Sequence, residues 1–237
     1  MICEKPGIVI ACDLRSLEAL ARLVEATNHL PEVTGFKLGS SLALLHGLPK
    51  VVSEVRSRTA KPIIYDNQKA ATDIPQSASD FAETCAESHL DGAILFPLSG
   101  PATLETYIEE IQRLKVTPIV GAVMTHPRFL VSEGGYIRDD VLRLVLEIAL
   151  AKGVNHFVLP ATKPEYATEL REAAIRNRVG QIFVLSPGIG RQKADVERVR
   201  KSFAGLNWSP IVGSAIYNSD DPGAEASRIA REFDLPC

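Results

Sequence analysis

One lysine stands where lysines are rare. Lys37 lies inside an apolar run, between Phe36 and Leu38. An ammonium there must meet a carboxylate or open into a wet cavity, because burying it alone is costly. Acidic partners recur along the chain. Asp13 closes the apolar run 7–13, Asp66 closes the run 62–66, and Asp73 follows, with a second lysine, Lys69, between those two. Carboxylates and ammonium groups alternating at one site neutralise and order one another, and flanking carboxylates keep a lysine charged at neutral pH. A fixed ammonium of this kind stabilises a developing anion and can deliver a proton to it. A purely structural ion pair is the plain alternative for Lys37. A cap on the helix that follows is the plain alternative for Asp13.

A second chemistry lies further along. Residues 186–192 read Ser-Pro187-Gly188-Ile-Gly190-Arg191-Gln192. Glycines there let backbone N–H groups approach an anion, and Arg191 adds charge. Gly213 and Ser214 end another apolar run, and Thr125 ends one in Met-Thr-His126-Pro. His126 reads as a loop residue, and His29, His46, His89 and His156 show no ligand spacing. Trp208 and Tyr217 read as packing residues near the last strand, and Cys12 as a small core residue.

The charged, glycine-bearing and Thr125 candidates collect toward one end of a repeated unit. Short apolar runs at 7–13, 35–39, 62–66, 91–96, 117–124, 155–159, 181–186 and 210–213 are strand candidates. They alternate with helical patterns at 17–27, 40–58, 76–89, 102–114, 139–152, 164–178, 193–203 and 221–233, the second broken near 46–49. Continuous apolar runs suit parallel strands buried on both faces, and strand–helix alternation implies helical crossovers. Eight such pairs in 237 residues predict a (β/α)8 barrel, with a doubly wound open sheet as the competitor. In a barrel, chemistry collects at the C-terminal strand ends, and phosphate sites form from the loops after strands seven and eight. No shift of composition divides the chain, so 1–237 is read as a single domain. Asp221 should cap the last helix, with Pro222 in its first turn. The polar, glycine-containing segment 128–138 is either a lid over the site or a long loop.

Composition narrows the function classes. Hydrophobic residues make up 46% and charged residues 23%, typical of a soluble globular chain. A net charge of -3 without a basic run argues against nucleic acid as a partner. The four cysteines, Cys3, Cys12, Cys85 and Cys237, are scattered, which suits a reduced cytoplasm better than a disulfide framework or a thiolate metal site. Residues 1–13 lack the pattern of a secretory signal, and no apolar stretch approaches the ~20 residues of a membrane span.

Read in order, Ala-Cys-Asp13, Gly-Phe-Lys37-Leu-Gly, Asp66…Lys69…Asp73-Ile-Pro, Met-Thr125-His-Pro, Ser-Pro-Gly-Ile-Gly-Arg-Gln192 and Val-Gly-Ser-Ala-Ile-Tyr217 form a set that resembles the orotidine 5′-phosphate decarboxylase family. Glu133-Gly-Gly-Tyr136 and Pro160-Ala-Thr-Lys-Pro164-Glu resemble its shorter, archaeal-type branch. The resemblance spans nearly the whole chain, and the strand-two lysine with the Asp-Lys-Asp cluster is its specific part. It implies a barrel that converts orotidine 5′-monophosphate to UMP without metal or organic cofactor. In that scheme Asp13 holds the ribose. Lys37 orders the charge network and binds a ribose hydroxyl, Asp66 faces the substrate carboxylate, and Lys69 protonates C6. Asp73 enters from the neighbouring subunit of a homodimer. Thr125 touches the pyrimidine, while Gln192 and the loops carrying Pro187, Gly188, Gly190, Arg191, Gly213 and Ser214 bind base and phosphate.

The chain departs from the family pattern in three places. The family cluster is D-x-K-x-x-D, whereas Asp66 to Lys69 and Lys69 to Asp73 are each one residue longer here. Regular strand alternation would point Asp66 and Gln68 inward and Lys69 outward, so a bulge near Asn67 and Gln68 is expected to restore Lys69. Ser214 stands where the family has an arginine on phosphate, and one hydroxyl does not replace a charged fork. Lys193 and Ala194 stand where two glycines are usual. These changes leave open a non-catalytic nucleotide- or phosphate-binding paralogue. Sugar-phosphate lyases of the same superfamily, such as hexulose-phosphate synthase, use magnesium and an acidic residue on strand two. Lys37 puts a cation in that place.

Overall fold

The computed structural model describes residues 2, 4–68, 72–189 and 196–235. Strands β1 (Ile8–Cys12), β2 (Val33–Leu38), β3 (Ile63–Asp66), β4 (Gly92–Leu95), β5 (Thr117–Gly121), β6 (His156–Val158), β7 (Phe183–Ser186) and β8 (Asn207–Val212) close into a barrel in chain order. Every adjacent pair is parallel, including β8 back onto β1. The helices are α1 (Leu17–Thr27), α2 (Ser40–His46), α3 (Leu48–Arg56), α4 (Ala78–Glu87), α5 (Pro101–Arg113), α6 (Val141–Ala151), α7 (Tyr166–Arg176), α8 (Val196–Phe203), α9 (Ser214–Tyr217) and α10 (Pro222–Glu232). The expected (β/α)8 barrel is the observed fold. None of the described helices is long and apolar enough to cross a membrane.

Strand alternation divides the core in two. Val9, Ala11, Ile64, Ile94, Ile119, Val158, Leu185 and Ile211 fill the barrel interior, and Ile2 joins them. The alternate residues, such as Ile10, Cys12, Phe36, Leu38 and Ile63, face outward and pack with the helices in a larger cluster. Cys12 is fully buried there, and burial pushes its thiol pKa up to about 12, in keeping with a packing residue.

Local signals set the helix ends. Ser16 Oγ accepts from Ala19 N at 3.1 Å and caps α1, so Asp13 is free of that duty. Asp221 caps α10 through Ala224 N at 2.9 Å, and Pro222 opens the helix. Gly47, at φ 81°, takes the left-handed turn that separates α2 from α3. Two strand boundaries lie three residues from expectation. β5 ends at Gly121 instead of running to Met124, because the chain leaves the ladder early to build the next loop. β8 begins at Asn207 rather than Pro210, since Asn207 N bonds Ile182 O and the buried Ser209 hides the apolar run. The short α9 was not expected at all.

Candidate active site

Register brings the charged residues together. Ala11 pairs with Lys37, and Lys37 pairs with Ile64, across β1, β2 and β3. Ala11 and Ile64 point into the barrel, so Lys37 does too. Two residues further along the flanking strands, on the same inward face, stand Asp13 and Asp66. The Lys37 ammonium reaches up between them, 3.1 Å from Asp13 Oδ1 and 2.7 Å from Asp66 Oδ2. Lys37 and Asp66 are buried, whereas the Asp13 side chain keeps 35% of its surface exposed. Burial, the largest single influence, pulls the lysine pKa down. The charges and hydrogen bonds of Asp66 and Asp13 together outweigh it and hold Lys37 above the ordinary lysine value. Gly39 completes this seat, because a Cβ there would overlap the Asp13 carboxylate.

Asp66 uses its second oxygen as well. Gln68 N–H donates to Asp66 Oδ1 at 3.0 Å, an Asx-type turn that bends the chain away from β3. The bulge expected near Asn67 and Gln68 is therefore absent: β3 ends at Asp66, and no ladder remains there to bulge. Gln68 still faces the site, as alternation predicted. Lys69 lies outside the described residues, as do Gly190, Arg191, Gln192, Lys193 and Ala194.

Asp13, Lys37 and Asp66 line a cavity of about 580 Å³ at the C-terminal ends of the strands. That volume suits a small-molecule ligand. Thr125 and Pro187 line it, and so do Gly188, Gly213 and Ser214. The start of the loop after β7 is fixed from β6, because Ala161 N–H donates to Pro187 O at 2.8 Å. Gly188, at φ 103°, then turns the chain as only glycine does readily. Ser214 opens α9 directly after Gly213. Among the described residues lining the cavity, Lys37 is the one lysine or arginine. The described wall thus holds an ammonium between two carboxylates, with hydroxyl groups and apolar surface around it. Such a wall can bind a polar ligand and stabilise negative charge that develops beside the ammonium.

Asp73 does not line its own chain's cavity. It is exposed, and its neighbours fix it firmly. Thr72 is buried with its N–H on Phe96 O at 3.2 Å, and its carbonyl accepts from Ser99 Oγ at 2.6 Å. Asp73 N–H donates to the Tyr107 hydroxyl at 3.3 Å. Sequence reading missed Met124, His126 and Tyr217, which also line the cavity. For Tyr217 no sequence signal stood out, because the four-residue α9 that carries it is too short to show a period. Trp208 packs as expected, stacked on Phe203 at 5.6 Å between ring centroids.

Comparison with known proteins places this geometry in a family. The profile described as "Orotidine 5'-phosphate decarboxylase / HUMPS family" matches residues 6–229. The orotidine 5′-phosphate decarboxylase of Methanosarcina barkeri is 29% identical over 231 residues, which cover 98% of this chain and 96% of that protein. The enzyme of the same name from Methanocaldococcus jannaschii is 26% identical over 226 residues, covering 94% of this chain and 96% of that protein. A crystal structure of the M. jannaschii orotidine 5′-monophosphate decarboxylase complexed with the inhibitor BMP shares the fold, with a TM-score of 0.82, 24% identity and coverage of 98% of this chain and 100% of that one. The chain belongs to the orotidine 5′-phosphate decarboxylase / HUMPS family.

Proposed function

We propose that this protein decarboxylates orotidine 5′-monophosphate to UMP, a carboxy-lyase step of pyrimidine biosynthesis, with no metal or organic cofactor. The observation that carries the reading is the buried Lys37 ammonium held by Asp13 and Asp66 at the mouth of a barrel of this family. The bond between C6 and the carboxyl carbon breaks, carbon dioxide leaves, and the electron pair stays on C6. An ammonium proton then quenches C6, giving UMP. Asp66 faces the substrate carboxylate, and loss of neutral carbon dioxide relieves that repulsion. Asp13 and Lys37 hold the ribose hydroxyls. Lys69 is the proton donor by family resemblance, and water restores its proton. Thr125 meets the pyrimidine. Gln192, Arg191 and the backbone of Pro187, Gly188, Gly190 and Gly213, together with the Ser214 hydroxyl, bind base and phosphate. Binding energy from the remote phosphate orders the reacting end. A lysine at the second strand, already paired to both neighbouring carboxylates, disfavours the magnesium-dependent sugar-phosphate reading.

The reading includes a homodimer in which Asp73 completes the neighbouring site. Its support is the setting of Asp73: the residue is exposed and pinned, and next to it Ile74 and Leu98 are exposed at 54% and 48%. Leu98 belongs to an apolar groove of about 440 Å³ shared with Tyr136 and Leu144, both also exposed. An apolar patch of this kind marks an interaction surface. A cytoplasmic location fits Cys12 and Cys85, which are free and buried.

A second reading, a barrel that binds nucleotide without turning it over, is favoured by Ser214 in place of the family arginine. One assay separates the two. Purified protein is mixed with orotidine 5′-monophosphate without added metal, and UMP is titrated in parallel. Loss of substrate absorbance by the wild type, absent in Asp66→Asn, supports the decarboxylase. UMP binding without turnover supports the silent barrel. Absence of both removes the nucleotide reading.

A further inference from the structure

Two adjacent residues of the β6–α7 loop grip the β5–α6 loop at two points. Thr162 Oγ1 donates to the carbonyl of Thr125 at 3.2 Å. Next to it, Lys163 forms an ion pair with Glu133. Glu133 is itself the knot of its loop. Its Oε2 accepts from Phe129 N at 3.1 Å and from Leu130 N at 3.3 Å, the reach-back half of a capping box on the short 3-10 turn Val131–Glu133. The Lys163 ammonium beside it holds the Glu133 carboxyl below its usual range. Gly134, at φ 80°, makes the next turn, and a Cβ on Gly135 would overlap the Phe129 carbonyl, so both glycines serve this fold. The ring of Phe129 stands edge-on to His126 at 6.0 Å and to Phe96 at 6.0 Å, joining the loop to the core. Thr125 and His126, at the cavity wall, are thereby held from both sides.

We infer that Thr162, Lys163 and Glu133 are positioning residues that set the base-recognition end of the cavity by latching the β5–α6 loop to the β6–α7 loop. The inference rests on the proposed function, in which Thr125 meets the pyrimidine. It gives a role to two stretches, Glu133-Gly-Gly and Thr162-Lys163, that touch no reacting atom. Substituting the latch changes how well the nucleotide is held in place and leaves the charge network at Lys37 intact. The expected signature is a raised KM with a preserved kcat, the mark of lost uniform binding.

The test uses full-length Glu133→Ala, Glu133→Gln and Lys163→Met. Each is assayed for kcat and KM with orotidine 5′-monophosphate, for UMP affinity and for melting temperature. Glu133→Ala and Lys163→Met are expected to raise KM and the UMP dissociation constant about tenfold, with kcat within about threefold of wild type. Glu133→Gln retains an oxygen acceptor for Phe129 N and Leu130 N and is expected to recover part of the loss. Variants with wild-type KM and UMP affinity overturn the latch. A loss of kcat in step with a lowered melting temperature also overturns it, since that is the behaviour of a merely structural contact. A wild type that neither turns over the substrate nor binds UMP overturns the proposed function, and the latch's role in base recognition with it.

Discussion

Replacing Lys37 by methionine keeps much of the side chain's length and removes its charge. The change leaves Asp66 buried without its cation, and such losses cost about 3–5 kcal/mol. A drop of that size in denaturant stability, with loss of turnover, is expected for Lys37→Met. Unchanged stability would mean that the ion pair contributes nothing. The pH dependence follows from the same residue. The folded-state pKa of Lys37 lies above its unfolded value, so its contribution is fully present below the unfolded pKa of about 10.4 and fades as pH rises through the folded value. Cys12 and Tyr65, both raised by burial, lose stability in the same direction. The difference between wild type and Lys37→Met isolates the lysine: it should hold steady from neutral pH to about pH 10 and shrink above that. Ser214 yields a third expectation. Ser214→Arg restores a charged fork at the cavity wall and should tighten UMP binding by about tenfold, a charge-assisted hydrogen bond being worth roughly 1.5–3 kcal/mol. UMP titration by calorimetry would show it, and equal affinities would place the phosphate elsewhere.

At the level of elements, the strand ends were the legible part. Asp13, Lys37 and Asp66 were found from sequence because a charge inside or at the end of an apolar run has few places to go, and register then joined them. The caps at Asp221 and Pro222 and the break at Gly47 were legible for equally local reasons. The start of β8 was not, because Ser209 is buried by its neighbours rather than by its own chemistry. The turn at Asn67 and Gln68 was misread as a bulge because the carboxylate that makes it is also the one that binds Lys37. Tyr217 was hidden because α9 is too short to show a period. Of the three sequence departures, Ser214 falls among the described residues, the cluster from Asp66 to Asp73 does so in part, and Lys193 and Ala194 lie outside them. Gly39 belongs to this scale too. Gly39→Ala should displace the Asp13 carboxylate and raise KM while the barrel still folds, which kinetics with a melting curve would check. A wild-type KM would show that the seat has room to give.

For the whole molecule, the proposed dimer ties the fold to the chemistry. Asp73 is held by Thr72, Ser99 and Tyr107 on the outside of its own cavity, beside exposed apolar side chains. A residue so exposed and so firmly presented suits delivery to another chain. Mixing Asp66→Asn subunits with Asp73→Asn subunits puts both substitutions into one site of a hybrid and leaves the other site intact. Two inactive preparations are therefore expected to regain activity after mixing and subunit exchange. No recovery, with exchange confirmed by mass, would mean that each site is complete within one chain.

Proton NMR of orotidine 5′-monophosphate incubated with the enzyme in deuterium oxide addresses the chemistry itself. If the charge network strips carbon dioxide and an exchangeable ammonium quenches C6, the product is UMP carrying deuterium at C6. Its C5 proton then appears as an uncoupled line, and Asp66→Asn leaves the substrate unchanged. Orotidine 5′-monophosphate that stays intact with wild-type enzyme, under conditions where UMP binds, would contradict the decarboxylase and leave a nucleotide-binding barrel.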